Sequence, residues 1–316
     1  MNLQQAYDMF LMSREEYCSD STVKNYQNTI RYFVDFLTDY KKKSACDIDI
    51  STLERTDLQA YTLYLRKRPK FENHPYHAVD SGGITKRSIR TYQIDVRTFF
   101  NYLYDEEFID KPLAHKYKII RSEVKQILPL SEQDVSIIDD LYHDKNERSS
   151  RNLCIFHLML DAGLRVSEVM DLKLHDVDFK QNYILVVNGK GSKDRIVPLS
   201  PRLKKILYTY SAVYRPQVFH SYFLCNVNDG GQLTSNCIKS LFARAKKHTT
   251  LNRLYPHLLR HTFATAYILQ GGDLESLRIY MGHSDISTTQ KYIHLAAQMK
   301  FNGNVYKLDD KMFRRL

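Results

Sequence analysis

Apolar residues recur at three- and four-residue steps through Val23, Tyr26, Ile30, Phe33 and Leu37, the stripe of an amphipathic helix with Ser21 and Thr22 as capping candidates. A second stripe runs through Ile89, Tyr92, Val96, Phe99, Phe100 and Leu103, and a shorter helical stretch lies between them near 57–65. A segment from Pro69 to Gly83, rich in His, Pro, Asp and Gly, interrupts the pattern as a loop. Residues 112–126 are basic and weakly patterned, as a linker is. After them Ser131-Glu132-Gln133-Asp134 has the form of a helix start. An apolar helix is predicted over 152–161, stopping at Gly163. Two runs, 183–187 and 195–199, read as strands of a hairpin around Asn188-Gly189-Lys190-Gly191. Further helices are predicted over 202–214, 236–247, 256–269, 274–281 and 287–298. The architecture expected is mainly α: a helical domain over 1–115, a linker over 116–127, and a mostly helical second domain over 128–316 with one small antiparallel β-sheet.

Charge adds a partner to this picture. The 316 residues carry 46 Lys and Arg against 36 Asp and Glu, a formal net charge of +10. Of these, 18 basic and 17 acidic residues fall in 1–120, so 28 and 19 fall in the rest, and nearly the whole excess belongs to the second part. An excess of this size favours a polyanion, either nucleic acid or an acidic membrane surface. The five cysteines are odd in number, scattered and never spaced C-x-x-C, which fits a reducing cytosol rather than a disulfide framework or a cysteine-based zinc site. The N-terminus lacks the blocks of a signal peptide, and no apolar run reaches membrane-spanning length. A cytoplasmic protein acting on nucleic acid, with no membrane partner, is therefore expected.

Four segments of the second domain carry the candidate chemistry: Asp161-Ala162-Gly163-Leu164-Arg165-Val166-Ser167-Glu168, Gly189-Lys190-Gly191, His257-Leu258-Leu259-Arg260-His261, and Gly282-His283-Ser284-Asp285 leading to Tyr292. Each is weak alone, since an H-x-x-R pair, a Gly-Lys-Gly turn or one of 23 tyrosines is commonplace. Together they supply phosphoryl transfer without a metal. Two arginines, Arg165 and Arg260, suit the charge that a phosphodiester gathers in its transition state, because the planar fork gives paired hydrogen bonds and stays protonated. His257 lies one helical turn before Arg260, on the same face. His283 offers a further donor. A tyrosine hydroxyl is a competent nucleophile, and a lysine at a hairpin tip can protonate a departing 5′ oxygen.

In this order (Arg, Lys, His-x-x-Arg, His, Tyr) the sequence resembles the tyrosine recombinases, or phage integrase family, over about residues 15–300. Arg165 in GLRVSE corresponds to the family's first arginine and Glu168 to its supporting acid. Lys190 in GKGSKDRIVPL corresponds to the hairpin lysine, His257 and Arg260 in HLLRHTFAT to the paired motif, His283 in MGHSDISTTQKYIH to the last histidine, and Tyr292 to the nucleophile. The resemblance implies a SAM-like core-binding domain, a C-shaped clamp on double-stranded DNA and a 3′-phosphotyrosyl intermediate. It also implies a homotetramer exchanging strands through a Holliday junction, with no metal or other cofactor. It implies exchange of a C-terminal tail between subunits, here the apolar Met312, Phe313 and Leu316 amid Lys311, Arg314 and Arg315. The loop at 69–83 is longer than in the compact dimer-resolving members, which favours a mobile element. The chain starts almost directly at the core-binding helices, so simple inverted-repeat core sites are expected rather than distant arm sites.

Beyond the catalytic set, Arg66, Arg68, Lys86, Arg87 and Arg90 around that loop, and Lys193 and Arg195 on the hairpin, are candidate phosphate contacts; a solvated helix face explains the first group equally well. Two other classes compete. A metal-dependent hydrolase would use His257 and His261 at i, i+4, but HLLRH lacks the glutamate base, and Arg260 would repel the dication. A DNA-binding protein without catalysis shares the charge but leaves the co-occurrence of Arg165, Lys190, Arg260, His283 and Tyr292 unexplained. His261 is expected to pack or to make a structural hydrogen bond, and Tyr280 to sit on the apolar side of its helix.

Overall fold

The computed structural model describes residues 1–70, 80, 82–123, 126–187, 194–299 and 304–309. It divides into two compact units, Met1–Lys125 and Gln126–Leu316.

The described residues of the first unit form the α-helices α1 (Leu3–Glu15), α2 (Asp20–Lys41), α3 (Arg55–Lys67) and α4 (Lys86–Asp105). The two long apolar stripes become the buried faces of α2 and α4. Helix α2 begins earlier than Ser21 and Thr22 suggest, because Ser19 has the extended cap conformation and its side chain accepts from the Thr22 amide. Helix α1 follows a capping box of Asn2 and Gln5 and buries Leu3, Ala6, Tyr7 and Phe10. Large rings fill the centre edge to face, with Phe10 and Phe99 5.3 Å apart and Phe33 and Tyr61 4.9 Å apart. After α3, Lys70 and Asp80 exchange paired backbone bonds, both 2.9 Å; the rest of the expected loop, residues 71–79 and 81, lies outside the described residues. The first stretch of the expected linker packs within this unit instead. Tyr117 is buried and bonds Thr62 at 2.8 Å, and the Ile120 amide donates to the Gln93 side chain at 2.8 Å.

The second unit contains α5 (Glu132–Leu141), α6 (Glu147–Leu160), α7 (Val166–Asp171), strands β1 (Val177–Asp178), β2 (Tyr183–Val186) and β3 (Arg195–Pro198), then α8 (Pro201–Thr209), α9 (Ser235–His248), α10 (Pro256–Leu269), α11 (Leu274–Met281) and α12 (Ser287–Met299). The strands form an antiparallel sheet in the order β1-β2-β3, with Ile184 opposite Val197 and Val186 opposite Arg195. The tip of the hairpin, 188–193, lies outside the described residues, and Lys190 and Lys193 with it. Helix α6 starts five residues before its apolar stretch because Asn146 caps it and the first turn is polar. Helix α10 is buried from Leu258 to Tyr267, as a helix at the centre of a unit must be. Two threonines inside it satisfy their hydroxyls locally, Thr262 on the Leu258 carbonyl and Thr265 on that of His261, both at 2.9 Å. After α12, residues 304–309 return onto the same unit as a strap, with Val305, Tyr306 and Leu308 buried. The expected exchange tail, with Met312, Phe313 and Leu316, lies outside the described residues.

Candidate active site

Two turns build the site. The first follows α6, where Gly163 takes φ +64° and an added Cβ would meet the Phe263 ring at 2.5 Å, so only glycine fits. This turn delivers Arg165 to the start of α7, where its amide donates to Glu168 Oε2 at 2.7 Å. The second turn is the C-cap of α11, Gly282 at φ +58°, leading into His283. Arg165 spans the two: Nη1 donates to Glu168 Oε1 at 2.8 Å, and Nη2 to the Gly282 carbonyl at 2.7 Å.

Arg260 projects from α10 into the same space. Its Nη1 donates to the Gly163 carbonyl, its Nη2 to the Met281 carbonyl, and Nη2 also approaches His283 Nε2 at 3.3 Å. Burial, then the charge of Arg165, pushes the Arg260 guanidinium down to about 10, which still leaves it cationic at neutral pH. Two guanidinium groups held together by backbone carbonyls, with Glu168 the one carboxylate among the described residues bonded to either, make a receptor for an anion. His283 is pushed down to about 4 by burial, then by Arg260 and Arg165. It is therefore neutral, and its partners select the tautomer. Arg260 donates towards Nε2, so Nδ1 carries the proton and donates to Thr289 Oγ1 at 2.8 Å. An incoming phosphate would offset the surrounding positive charge and raise His283 again. His257 stands on the first turn of α10, where partial desolvation of its ring, then Lys291 and Arg260, lower it.

Tyr292, on α12, is wholly buried. Its ring lies 5.2 Å from that of His261, and Lys291 Nζ stands 5.1 Å from the ring centre. Among the described residues the hydroxyl has no hydrogen-bond partner, and burial raises it, with the Arg260 charge acting the other way. His261 gives Nε2 to the Ile127 carbonyl at 2.7 Å, a structural bond of the kind expected for it, which takes that nitrogen away from any ligand shared with His257. Tyr280 is half-buried and meets Tyr267 edge to face at 5.8 Å. Arg165, Glu168, Arg260 and His283 are thus brought together, with Tyr292 and His257 close enough to act on the Arg260 charge or feel it.

The candidate phosphate contacts divide. Arg66, Lys86 and Arg87 are exposed, while Arg90 is half-buried and donates to the Ile120 carbonyl at 3.3 Å. Arg68 is not a surface contact: it is buried, with its guanidinium 4.0 Å from the centre of the Tyr32 ring. Arg195 is not one either. Its side chain is 4% exposed and forks onto Glu168. Strand alternation held this signal, because Arg195 and Val197 share the inward face whereas Ile196 points out. Two other supports were missed: Thr289 beneath His283, and Arg278, which donates to the His283 carbonyl at 3.0 Å. Neither residue type in its local sequence separates such a role from an ordinary helix surface.

Paired guanidinium groups beside a histidine in a helical protein define an anion receptor of the kind that suits a phosphate group. The phage integrase family matches residues 122–299, and the phage integrase SAM-like domain matches residues 2–119. A tyrosine recombinase XerD of Listeria innocua is 30% identical over 289 residues, 89% of this chain and 90% of its own. A tyrosine recombinase XerC of Pediococcus pentosaceus is 28% identical over 306 residues, 94% and 95% of the two chains. Among solved structures, the Tn1549 transposon integrase in complex with a circular intermediate DNA superposes with a TM-score of 0.72 at 18% identity, covering 96% of this chain and 99% of its own. A lambda integrase dimer bound to a core site superposes at 0.68 and 15%, covering 92% and 95%; both show the likeness of fold. The chain belongs to the phage integrase family and is a tyrosine recombinase, an enzyme of DNA strand cleavage and rejoining.

Proposed function

We propose that this chain carries out site-specific recombination at short inverted-repeat core sites of double-stranded DNA, acting in the cytoplasm as a homotetramer. The observation that carries this reading is the meeting of Arg165, Arg260 and His283 around the Gly282 turn beside the helix of Tyr292. The two guanidinium groups bind the nonbridging oxygens of the scissile phosphate. The Tyr292 oxygen attacks phosphorus, the bond to the 5′ oxygen breaks, and Lys190 protonates the leaving oxygen. His257 and His283, both lowered by burial and by nearby cations, are the candidate acceptors for the phenolic proton. The 3′-phosphotyrosyl ester keeps the bond energy, so a second 5′ hydroxyl can reverse the step through a Holliday junction.

In this reading residues 1–115 form the core-binding domain, with exposed Arg66, Lys86 and Arg87 on the backbone, 116–127 the linker and 128–316 the catalytic domain, whose tail docks on a neighbouring subunit. Integration or excision of a mobile element and resolution of dimers both run through this chemistry, and the DNA sequence bound decides between them. The test is recombination of a plasmid carrying two copies of a site that the Tyr292→Phe protein selects from a random duplex pool. Recombinants should form in EDTA without nucleotide. Lys190→Ala should abolish them, while a 5′-thio leaving group, which needs little protonation, should restore cleavage. Loss of activity in EDTA would favour a metal-dependent hydrolase instead.

A further inference from the structure

Arg195 lies outside the catalytic set, yet it bonds directly to the carboxylate that supports that set. Glu168 is 5% exposed, and its two oxygens accept four hydrogen bonds. Oε1 takes Arg165 Nη1 at 2.8 Å and Arg195 Nη1 at 2.9 Å; Oε2 takes the Arg165 amide at 2.7 Å and Arg195 Nη2 at 2.8 Å. A carboxylate offers about four lone-pair sites, so this one is saturated, half of it by Arg195. The Arg195 fork is aimed by its third bond, Nε to the Tyr280 carbonyl at 2.7 Å, in the last turn of α11. An added Cβ on Gly282 would lie 3.0 Å from Arg195 Nη1 and 3.2 Å from Arg165 Nη1, so both guanidinium groups press on the same turn.

The consequence falls on Arg165. Its side chain keeps 40% of its surface exposed and spends one nitrogen on Glu168 and one on Gly282, leaving the rest of the fork for a ligand. With Arg195 removed, a buried carboxylate would have two vacant acceptor sites and one remaining cation. It would draw Arg165 inward, because a buried charge without partners is strongly disfavoured. We propose that Arg195 is a positioning residue for strand cleavage: by satisfying Glu168 it leaves the outer face of Arg165 free to bind the scissile phosphate. Its own burial keeps it from touching that phosphate. This inference rests on the recombinase reading above.

The test measures the rate of covalent adduct formation on a nicked duplex of the selected core sequence, bearing either a normal phosphodiester or one methylphosphonate diastereomer at the scissile position. A methylphosphonate lacks one nonbridging charge, so the diastereomer on which Arg165→Gln recovers is the one that no longer needs Arg165. Arg195→Gln should slow cleavage of the phosphodiester by roughly 10- to 100-fold, the size seen when the partner of a site ligand is lost, with affinity near wild type. On the Arg165-independent diastereomer the penalty should vanish. Continued slowness there would mean a general loss of site structure and would overturn the proposal, as would a wild-type rate on the phosphodiester. Should Arg195→Gln alone not fold, Glu168→Gln and the Glu168→Gln/Arg195→Gln pair decide: the proposal expects equal rates, whereas a further tenfold loss in the pair contradicts it. A wild-type protein that forms no adduct on either substrate would instead remove the recombinase reading.

Discussion

Tyr292 is buried with no hydrogen-bond partner among the described residues, a costly state for a phenol. A hydroxyl left unsatisfied in a protein interior costs about 1–3 kcal/mol. Tyr292→Phe should therefore raise the stability of the DNA-free protein by about 1 kcal/mol, roughly 2–4 °C in Tm; a clear loss in calorimetry would show that the hydroxyl has a stabilising partner. In the proposed reaction the same burial means that the hydroxyl must be uncovered before it can attack. The arginines lend themselves to a different comparison. Arg165→Lys and Arg260→Lys keep the charge but lose the fork that spans two acceptors, so cleavage should fall by roughly 100-fold or more while DNA affinity changes little. Equal losses in binding and cleavage would reduce both to simple phosphate anchors. Most of this site was legible because its members are spaced by motif. Arg195 was not: in a basic run such as Lys190 to Arg195, charge suggests solvent, and only the two-residue alternation of β3 reveals the inward face.

At the scale of elements, caps and stripes carried the fold. Ser131 with Asp134 and the periodic faces of α2 and α4 are visible in the sequence because local bonds and burial produce them. The strap over 304–309 was not legible, since its anchors are distant in sequence. Tyr306 donates to Asp161 Oδ1 at 2.7 Å, and Asp161 Oδ2 meets His157 Nδ1 at 2.8 Å. His157 Nε2 meets Asp139 at 2.7 Å, and Arg202 reaches both His157 and Asp161. Burial alone would lower His157, but the charge of Asp161 and the bonds to Asp139 and Asp161 outweigh it and raise the group above 6.5. A group raised on folding stabilises fully below its unfolded value and loses that contribution as pH rises through the folded one. Asp139→Asn should thus cost about 1 kcal/mol below pH 6.5, shrinking as pH rises further. A penalty that is flat with pH, measured by denaturant unfolding, would mean that His157 is not protonated in the folded protein.

At the scale of the whole chain, the weakly patterned stretch near 116–127 suggests a linker, whereas the compact units meet at 125/126 and 117–120 pack with the first; the positive charge falls mostly after residue 120. Residues 310–316 are the proposed tail shared between subunits. Deleting them, with the strap left in place, should preserve binding of one subunit to a half-site while lowering tetramer formation on DNA and unbalancing cleavage between subunits. Full recombination with unchanged assembly, followed by native electrophoresis, would end that part of the proposal. The central claim is narrower and meets a sharper measurement. The protein is incubated with a suicide duplex of its selected site, nicked so that the 5′ hydroxyl fragment is lost, and the trapped adduct is digested and sequenced by mass spectrometry. The account predicts a single DNA-linked peptide, with the 3′ phosphate esterified to Tyr292. Attachment at any other residue, Tyr280 included, or cleavage with no covalent adduct, would contradict it.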